Sequence, residues 1–475
     1  MLDARSRLVI RPHGDPDDGD FRVDAPVAPQ VAMHLVFAIA ASKRWTVGTF
    51  DVSSAFLTGN DHERQLYFRP PKEGLPGVPD GSLIQVKKGL FGLREAPRLW
   101  WLRARTVILE AGFTEVKACP ATFALHDDNG HIIGALILHV DDGLWTGTGS
   151  RFKSAQGCVR RAFKALKEKN GEFDFLGRHV TQDEHFNITV DQHQYIREIR
   201  PIYVTAARRR DAAMDATPHE ESSYRSLVAQ LAWPARNSVP QIGYDVSDMQ
   251  QRSKNVTVGH LLRANNVLRR TQQLADAGTH IRFCSDVDVQ DIMVGLVTDA
   301  SFGGQLDGGS QCGYAIVMGS KKMATHERVR TALVDWGSTK IRRVVKSTLA
   351  AEACGCSTGY DRAVYIRAIL SELLGSTGKT WQDRALTIPQ ITVVDARSLR
   401  DHLHKTGGQP TEKRVGLDLC DVREWLERGD KLGWVPTTHM LVDPFTKHFV
   451  ETALLDEYLR SYYYDFRDQY DQLAA

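Results

Sequence analysis

Ile132-Ile133-Gly134-Ala135-Leu136-Ile137-Leu138-His139-Val140 is the most apolar run in the first half of the chain, and it stops abruptly on Asp141-Asp142-Gly143. A short apolar run closed by an Asp/Gly turn signal reads as a buried strand that delivers two carboxylates at its end. A second run, Trp45-Thr46-Val47-Gly48-Thr49-Phe50, delivers Asp51 in the same way. Carboxylates at the ends of neighbouring strands can bridge two divalent cations about 4 Å apart, as phosphoryl transfer requires, and magnesium favours such hard oxygen donors. The same acids are also ordinary turn residues, whose short polar side chains bond their own backbone. Spacing alone leaves both readings open.

Around these strands the chain alternates in type. Residues 1–30 are polar, with a strand-like Arg7-Leu8-Val9-Ile10-Arg11. Residues 30–43 are apolar at helical spacing (Val31, Leu35, Val36, Ile39), and 57–82 are polar and rich in Gly and Pro. Pro97–Ala111 predicts a helix with proline in its first turn. A helix is expected over 150–169, strands around 171–190 and a helix over 191–200, followed by a loop over 205–222. Residues 223–275 read as a helical unit. Beyond about 280 the pattern becomes strands at 292–298, 312–318, 330–336, 391–394 and 432–435, with helices at 347–372, 396–404, 412–427 and 450–460.

At 475 residues the chain is expected to hold two to four structural units. Its 42% hydrophobic and 25% charged content is globular. It has no run of about 18 apolar residues for a membrane span and no apolar leader at Met1-Leu2-Asp3-Ala4-Arg5. Seven cysteines are scattered, and Cys354-Gly355-Cys356 lacks a partner pair at zinc spacing, so reduced buried thiols are expected. The formal net charge of +2 is no electrostatic signature of nucleic-acid binding. The cations are clustered, however: Arg160, Arg161, Lys164, Lys167 and Lys169; Arg208-Arg209-Arg210; Arg263, Arg269 and Arg270; Lys340, Arg342, Arg343 and Lys346. Each cluster fits either a phosphate track or a solvated face.

Longer motifs surround the acids. Phe50-Asp51-Val52-Ser53-Ser54-Ala55-Phe56-Leu57-Thr58-Gly59 is followed by Leu90-Phe91-Gly92-Leu93-Arg94-Glu95-Ala96-Pro97-Arg98-Leu99-Trp100. Then come Gly112-Phe113 with Cys119-Pro120-Ala121-Thr122-Phe123, Leu138-His139-Val140-Asp141-Asp142, Phe175-Leu176-Gly177 and Gln194-Tyr195-Ile196. Tyr224-Arg225-Ser226-Leu227-Val228 and the segment from Arg236 to Ile242 complete the series. In this order the motifs resemble those of copia-type retrotransposon polyproteins, in their reverse transcriptase region, across nearly the whole chain. The resemblance implies that Asp51, Asp141 and Asp142 are catalytic metal ligands. It places Phe56 beneath the sugar of the incoming nucleotide, where an aromatic ring collides with a 2′-hydroxyl, although by itself Phe56 reads as ordinary core. Gly92 and Pro97 would shape the nucleotide pocket, Arg5 or Arg7 would meet the triphosphate, and Phe175-Leu176-Gly177 would grip the primer. His139, Glu95 and Cys119 depart from the usual Tyr, Gln and acidic residue. A Glu near a triphosphate needs a cationic partner, for which Arg94 and Arg98 are the nearest in sequence.

A second set of acids lies further on. Asp299 ends a strand in Val297-Thr298-Asp299-Ala300-Ser301, Glu352 sits in Ser347-Thr348-Leu349-Ala350-Ala351-Glu352, Asp395 follows Ile391–Val394, and Asp443 opens Asp443-Pro444-Phe445-Thr446-Lys447. Four acids from separate elements can hold two magnesium ions against a scissile phosphate, and equally each is unremarkable as surface charge. These blocks are similar to the ribonuclease H domain of the same elements, which makes Asp299, Glu352, Asp395 and Asp443 the nuclease's ligands by resemblance. His439 and Lys447 are further candidates, for proton transfer or product release and for phosphate contact.

The expected architecture follows from the resemblance. Residues 1–205 would form partial α+β reverse transcriptase fingers and a palm with a ferredoxin-like sheet; 206–285 a helical thumb or connection; 286–450 an α/β ribonuclease H-like domain; 451–475 a helical tail. The implied function is RNA-directed DNA synthesis with cleavage of RNA in hybrids, with Mg2+ as cofactor and Mn2+ as the alternative ion. Its partners would be an RNA template, a DNA primer, the RNA/DNA hybrid and dNTPs, with integrase and capsid parts of one polyprotein upstream and no membrane. It would act in a cytoplasmic particle or the nucleus. Because the family carries further fingers elements upstream of the Arg-Leu-Val strand, two alternatives stand beside this reading: a truncated remnant with ribonuclease H activity only, and a non-catalytic nucleic-acid-binding relic.

Overall fold

The computed structural model describes residues 8–11, 22–163, 166–289, 291–305, 307–376, 378–404, 410, 412–448 and 451–470. The chain divides into two compact units, one comprising the segment up to Ala32, Val47–Asn170 and Glu372–Gly375, the other Met33–Thr46, Gly171–Ser371 and Ser376 onward. Helix α1 (Gln30–Ser42) lies, from Met33 on, in the second.

The first unit is built on a six-stranded antiparallel sheet. Its strands are β1 (Val47–Val52), β4 (Thr114–Glu115), β5 (Thr122–His126), β6 (Ile132–His139), β7 (Asp142–Gly147) and β8 (Leu166–Asn170); the strands β2 (Asp61–Phe68) and β3 (Ile84–Lys88) form a separate hairpin ribbon. The order is β4-β5-β6-β7-β1-β8. Strands β1 and β6 are buried on both faces, which is why their sequences run apolar instead of alternating. Helix α2 (Ala96–Glu110) starts where Pro97 occupies the first turn and buries Ala96, Trp100, Trp101, Ala104, Val107 and Ile108 along one stripe. Helix α3 (Gly149–Ala162) ends earlier than the sequence pattern suggests. Leu166–Asn170 instead joins the open edge of β1, with Val52 opposite Leu166.

The second unit contains three elements of structure. A four-stranded antiparallel sheet, in the order β12-β11-β10-β9, is formed by β9 (Glu172–Phe175), β10 (Arg178–Gln182), β11 (Ile188–Asp191) and β12 (Ile281–Phe283). Helices α4 (His193–Glu198), α5 (Pro218–Asn237), α6 (Gly243–Gln251) and α7 (Val258–Asp276) enclose an apolar core that includes Leu227, Leu231, Ile242 and Leu261. Helix α5 begins inside the segment expected to be loop. Thr217 and Glu220 close a reciprocal capping box there, and Pro218 takes the first turn.

The third element is a five-stranded mixed sheet of β13 (Ile292–Ser301), β14 (Gln311–Ser320), β16 (Ala332–Lys340), β17 (Gln390–Val394) and β18 (Lys431–Trp434), with helices α8 (Thr348–Leu373), α9 (Trp381–Leu386), α10 (Arg397–His404), α11 (Lys413–Glu427) and α12 (Ala453–Ser461). The sheet order is β16-β14-β13-β17-β18. Strands β13, β14 and β16 pair antiparallel, and β17 runs parallel to both β13 and β18. Two short strands, β15 (Val329–Arg330) and β19 (Tyr463–Tyr464), form a separate antiparallel pair. Helix α8 approaches the sheet closely because Gly355 and Gly359 face it: a Cβ at either would lie 3.1 Å from the Cβ of Cys312 or the Cδ1 of Leu296. Arg367 on α8 is fully buried and makes a bidentate pair with Asp430, at 2.6 and 3.0 Å. No helix among the described residues is long and apolar enough to cross a membrane.

Candidate active sites

In the first unit the register of β1 against β7 sets Asp51 directly opposite Asp142, and the two-residue turn Val140-Asp141 joins β6 to β7. Asp141 is tied to β1 by its carbonyl, which accepts from the Val52 amide at 3.1 Å. Val140 has φ +58°, a left-handed conformation that a β-branched residue adopts only under strain of about 1–3 kcal/mol. The Trp100 indole, donating to the Val140 carbonyl at 2.6 Å, helps hold it there. Burial, then the charges of Asp141 and Asp51, raise the Asp142 carboxyl above the ordinary carboxylate range. Lys167 reaches Asp51 at 3.9 Å, but both side chains are well exposed and the pair contributes little.

Phe56 stands in a 3-10 turn after β1, its ring 5.2 Å from Phe91, packed with Val86, Leu93, Ala96 and Ile10. Gly92 is required twice over: its φ is +96°, and a Cβ would fall 1.9 Å from the Ile10 carbonyl oxygen. Pro97 opens α2 beside this cluster. Arg5 and Arg7 lie outside the described residues. Glu95 is buried, and it pairs with a residue remote in sequence. Arg64 on β2 donates to its Oε1 at 2.5 and 3.0 Å, with His62 at 3.4 Å, whereas Arg98 pairs with Asp24 at 2.9 Å. Nothing in the local sequence signals a partner 31 residues away.

In the second unit Phe175 ends β9, and Leu176 and Gly177 both have positive φ, +50° and +69°, between the paired residues Phe175 and Arg178. That is the I′ pattern of a two-residue hairpin. Arg178 braces the turn by donating to the Leu176 carbonyl at 3.0 Å, and it lies 4.7 Å over the ring of Trp233 on α5. Trp233 is nonetheless 38% exposed.

The second acidic set converges. Asp299 on β13, Glu352 on α8 and Asp395 just after β17 place one carboxylate oxygen each within 4.8 Å of the others, the one such group of three among the described residues. The parallel pairing of β13 and β17 brings Asp299 and Asp395 to the same end, and the glycine face of α8 brings Glu352 onto them. Asp299 and Glu352 are almost fully buried. Burial raises Asp299 to about 6, with Asp395 and Asp443 adding to it. Burial, then the charges of Asp299 and Asp395, raise Glu352 to about 9. Burial likewise raises Asp395.

Hydroxyls and one ammonium group pin these carboxylates. Thr446 donates to Asp299, and Thr437 to Asp395 at 2.9 Å. Lys447 pairs with Asp443 and lies 3.8 Å from Asp299. Burial alone would lower the Lys447 ammonium, but Asp299, Asp443 and Asp395 outweigh it and hold it above its ordinary value. His439 is occupied elsewhere: its Nδ1 sits 3.1 Å from Gln469 and its carbonyl accepts from Tyr464 at 2.7 Å. Sequence reasoning missed Arg397. This exposed side chain, two residues after Asp395, lies over the rings of Trp434 at 4.9 Å and Tyr470 at 5.9 Å. Trp434 in turn donates to the Asp395 carbonyl at 2.5 Å.

The donor set suits a divalent cation. It is all carboxylate oxygen, it gathers from three elements, and its charges repel one another in a buried site, a cost that a cation removes.

Comparison with known proteins adds an independent finding. Residues 2–216 match the family model described as reverse transcriptase (RNA-dependent DNA polymerase). The chain is 24% identical over 467 residues to the retrovirus-related Pol polyprotein from transposon RE2 of Arabidopsis thaliana, covering 94% of this chain and 30% of that protein. It is 23% identical over 465 residues to the Pol polyprotein from transposon RE1 of the same plant, with the same coverage. Among solved structures, a foamy viral protease-reverse transcriptase in complex with an RNA/DNA hybrid aligns with a TM-score of 0.47 and 11% identity, over 91% of this chain and 48% of that one. The chain thus spans about 30% of the length of the Pol relatives it matches. The motif order, the family match and relatives along 94% of its length agree: the chain is similar to Pol polyproteins of copia-type retrotransposons, and its residues 2–216 match the reverse transcriptase family.

Proposed function

We propose that the chain is an RNA-directed DNA polymerase with a separate ribonuclease H activity on RNA/DNA hybrids. Residues 1–205 would serve as fingers and palm, 206–285 as thumb or connection, 286–450 as a ribonuclease H-like domain and 451–475 as a tail. The observation that carries the second activity is the buried convergence of Asp299, Glu352 and Asp395 within 4.8 Å, at the end of a mixed sheet in which three antiparallel strands continue into two parallel ones.

At the nuclease site Asp299, Glu352, Asp395 and Asp443 would hold the divalent cations, which when bound supply activation of the attacking water and neutralisation of the leaving oxygen. The chain's own groups do the positioning. Thr446 and Thr437 fix the carboxylate orientations, and Lys447 holds Asp443 while keeping a positive charge beside the cluster. Arg397, exposed and in cation–π contact with Trp434 and Tyr470, is placed to meet a phosphate of the substrate strand.

At the polymerase site Asp51, Asp141 and Asp142 would hold Mg2+ or Mn2+. Phe56 would exclude a 2′-hydroxyl from the incoming dNTP, and Gly92 and Pro97 would line its pocket. Phe175-Leu176-Gly177, with exposed Trp233 beside it, would contact the primer strand. The hybrid would be read through its shape, 2′-hydroxyls and phosphates.

The test is a paired assay with magnesium: extension of a DNA primer on an RNA template, and cleavage of the RNA in a hybrid. Extension with cleavage supports the proposal. Cleavage alone supports the nuclease-only reading, which is favoured by the tighter gathering of the second acidic set. Neither activity overturns both readings.

A further inference from the structure

Asp443, Thr446 and Lys447 share one short segment outside the sheet, so their position relative to Asp299 depends on what grips that segment. A continuous hydrogen-bonded path does so, and it begins on α6 of the helical unit. Gln311, the first residue of β14, is fully buried. Its amide nitrogen donates to Ser247 on α6 at 2.9 Å and to Ser338 on β16 at 2.8 Å. Its amide oxygen accepts from Gln251 on α6 at 3.2 Å and from Gln305 at 3.4 Å. All four hydrogen-bonding positions of the amide are therefore used, and this is the side-chain orientation that satisfies them.

Ser338 accepts from Gln311 and passes its own hydroxyl proton on, donating to the Phe445 carbonyl at 2.6 Å. Phe445 is buried and packs where Gly313 leaves room: a Cβ there would lie 2.6 Å from the Phe445 Cβ. On the other side of Lys447, His448 lies 3.9 Å from Asp245 of α6, with its ring 5.8 Å from that of Tyr244. Asp245 is itself held by Arg263 and Arg270 on α7. The segment is thus hydrogen-bonded at Phe445 and in ring contact at His448, and both contacts lead back to α6.

We propose that α6, Gln311 and Ser338 form a clamp that positions Asp443 and Lys447 against the Asp299, Glu352 and Asp395 cluster, so that the helical unit sets part of the nuclease geometry. The proposal rests on reading that cluster as the cleavage site. Ser338 and Gln311 are positioning residues: they touch neither substrate nor cation.

The test compares wild type, Ser338→Ala and Ser338→Thr in the full chain, with Gln311→Ala as a second variant. Two readouts need no nucleic acid: hydrogen exchange of the 443–448 amides by mass spectrometry, and Mn2+ affinity by calorimetry. Losing one buried hydrogen bond should speed exchange in that segment and weaken Mn2+ binding, each by about tenfold, while Ser338→Thr keeps the hydroxyl and behaves as wild type. In the cleavage assay the loss should appear in kcat and not in the KM for hybrid. Unchanged exchange or unchanged Mn2+ affinity in Ser338→Ala overturns the clamp. If both change while the wild type itself cleaves no hybrid, the clamp stands and the nuclease reading falls.

Discussion

Binding of a divalent cation to the second acidic set should expel protons, and the structure sets how many. Burial raises Glu352 to about 9 and Asp299 to about 6, each helped by neighbouring carboxylates. Near pH 8 the metal-free cluster therefore keeps about one proton, on Glu352, and below about pH 6 Asp299 takes up another. Cation binding needs the ionised carboxylates. Affinity should tighten by about tenfold per pH unit between the two values, and more steeply below the lower one.

The stability of the metal-free protein follows with the opposite sign. A carboxyl whose folded value is raised binds more protons folded than unfolded, so its contribution is fully present below the ordinary glutamate range and is lost as pH rises toward about 9. Magnesium should return that stability. The perturbation is Glu352→Gln, which keeps the shape and removes the titrating group. Calorimetry of Mg2+ or Mn2+ binding in two buffers of different ionisation heat, from pH 6.5 to 8.5, counts the protons. Wild type should release about one and Glu352→Gln close to none. A wild-type affinity that is flat with pH, or equal release by the two proteins, would falsify the account of this cluster.

Other outcomes follow from single residues. Gly92→Ala combines a left-handed backbone with a Cβ 1.9 Å from the Ile10 carbonyl oxygen. It should destabilise the protein by about 1–3 kcal/mol and abolish primer extension, and a denaturation curve matching wild type would show the fit to be looser. Arg64→Ala leaves buried Glu95 without its main cation and should cost about 1–3 kcal/mol, recovered in part by Glu95→Gln in the same chain. Arg397→Ala should raise the KM for hybrid and lower the salt slope of binding by about one, with kcat little changed; an unchanged slope removes Arg397 from the phosphate track.

Much of the strand pattern was legible because one kind of signal repeats along the chain. Buried strands that end in acids announced themselves as apolar runs, so β1, β6, β13 and β17 lie where the pattern put them. Elements decided by a partner were not legible. Leu166–Asn170 has no strand signal of its own and becomes one by pairing with β1. The start of α5 hides in a polar segment, because a capping box uses the same Thr and Glu that a loop would. The candidate sites divide in the same way. The carboxylates are proposed from motifs, whereas Arg64 beside Glu95, Arg397 on Trp434, and Gln311 with Ser338 behind Phe445 depend on contacts between residues far apart in sequence.

The central claim is that one chain carries two independent phosphoryl-transfer sites, and the most direct test is a double dissociation. Asp141→Asn with Asp142→Asn should abolish primer extension and leave hybrid cleavage near wild type, while Asp299→Asn should abolish cleavage and leave extension near wild type. Loss of both activities in either variant, with the fold intact by circular dichroism, would contradict the two-site account.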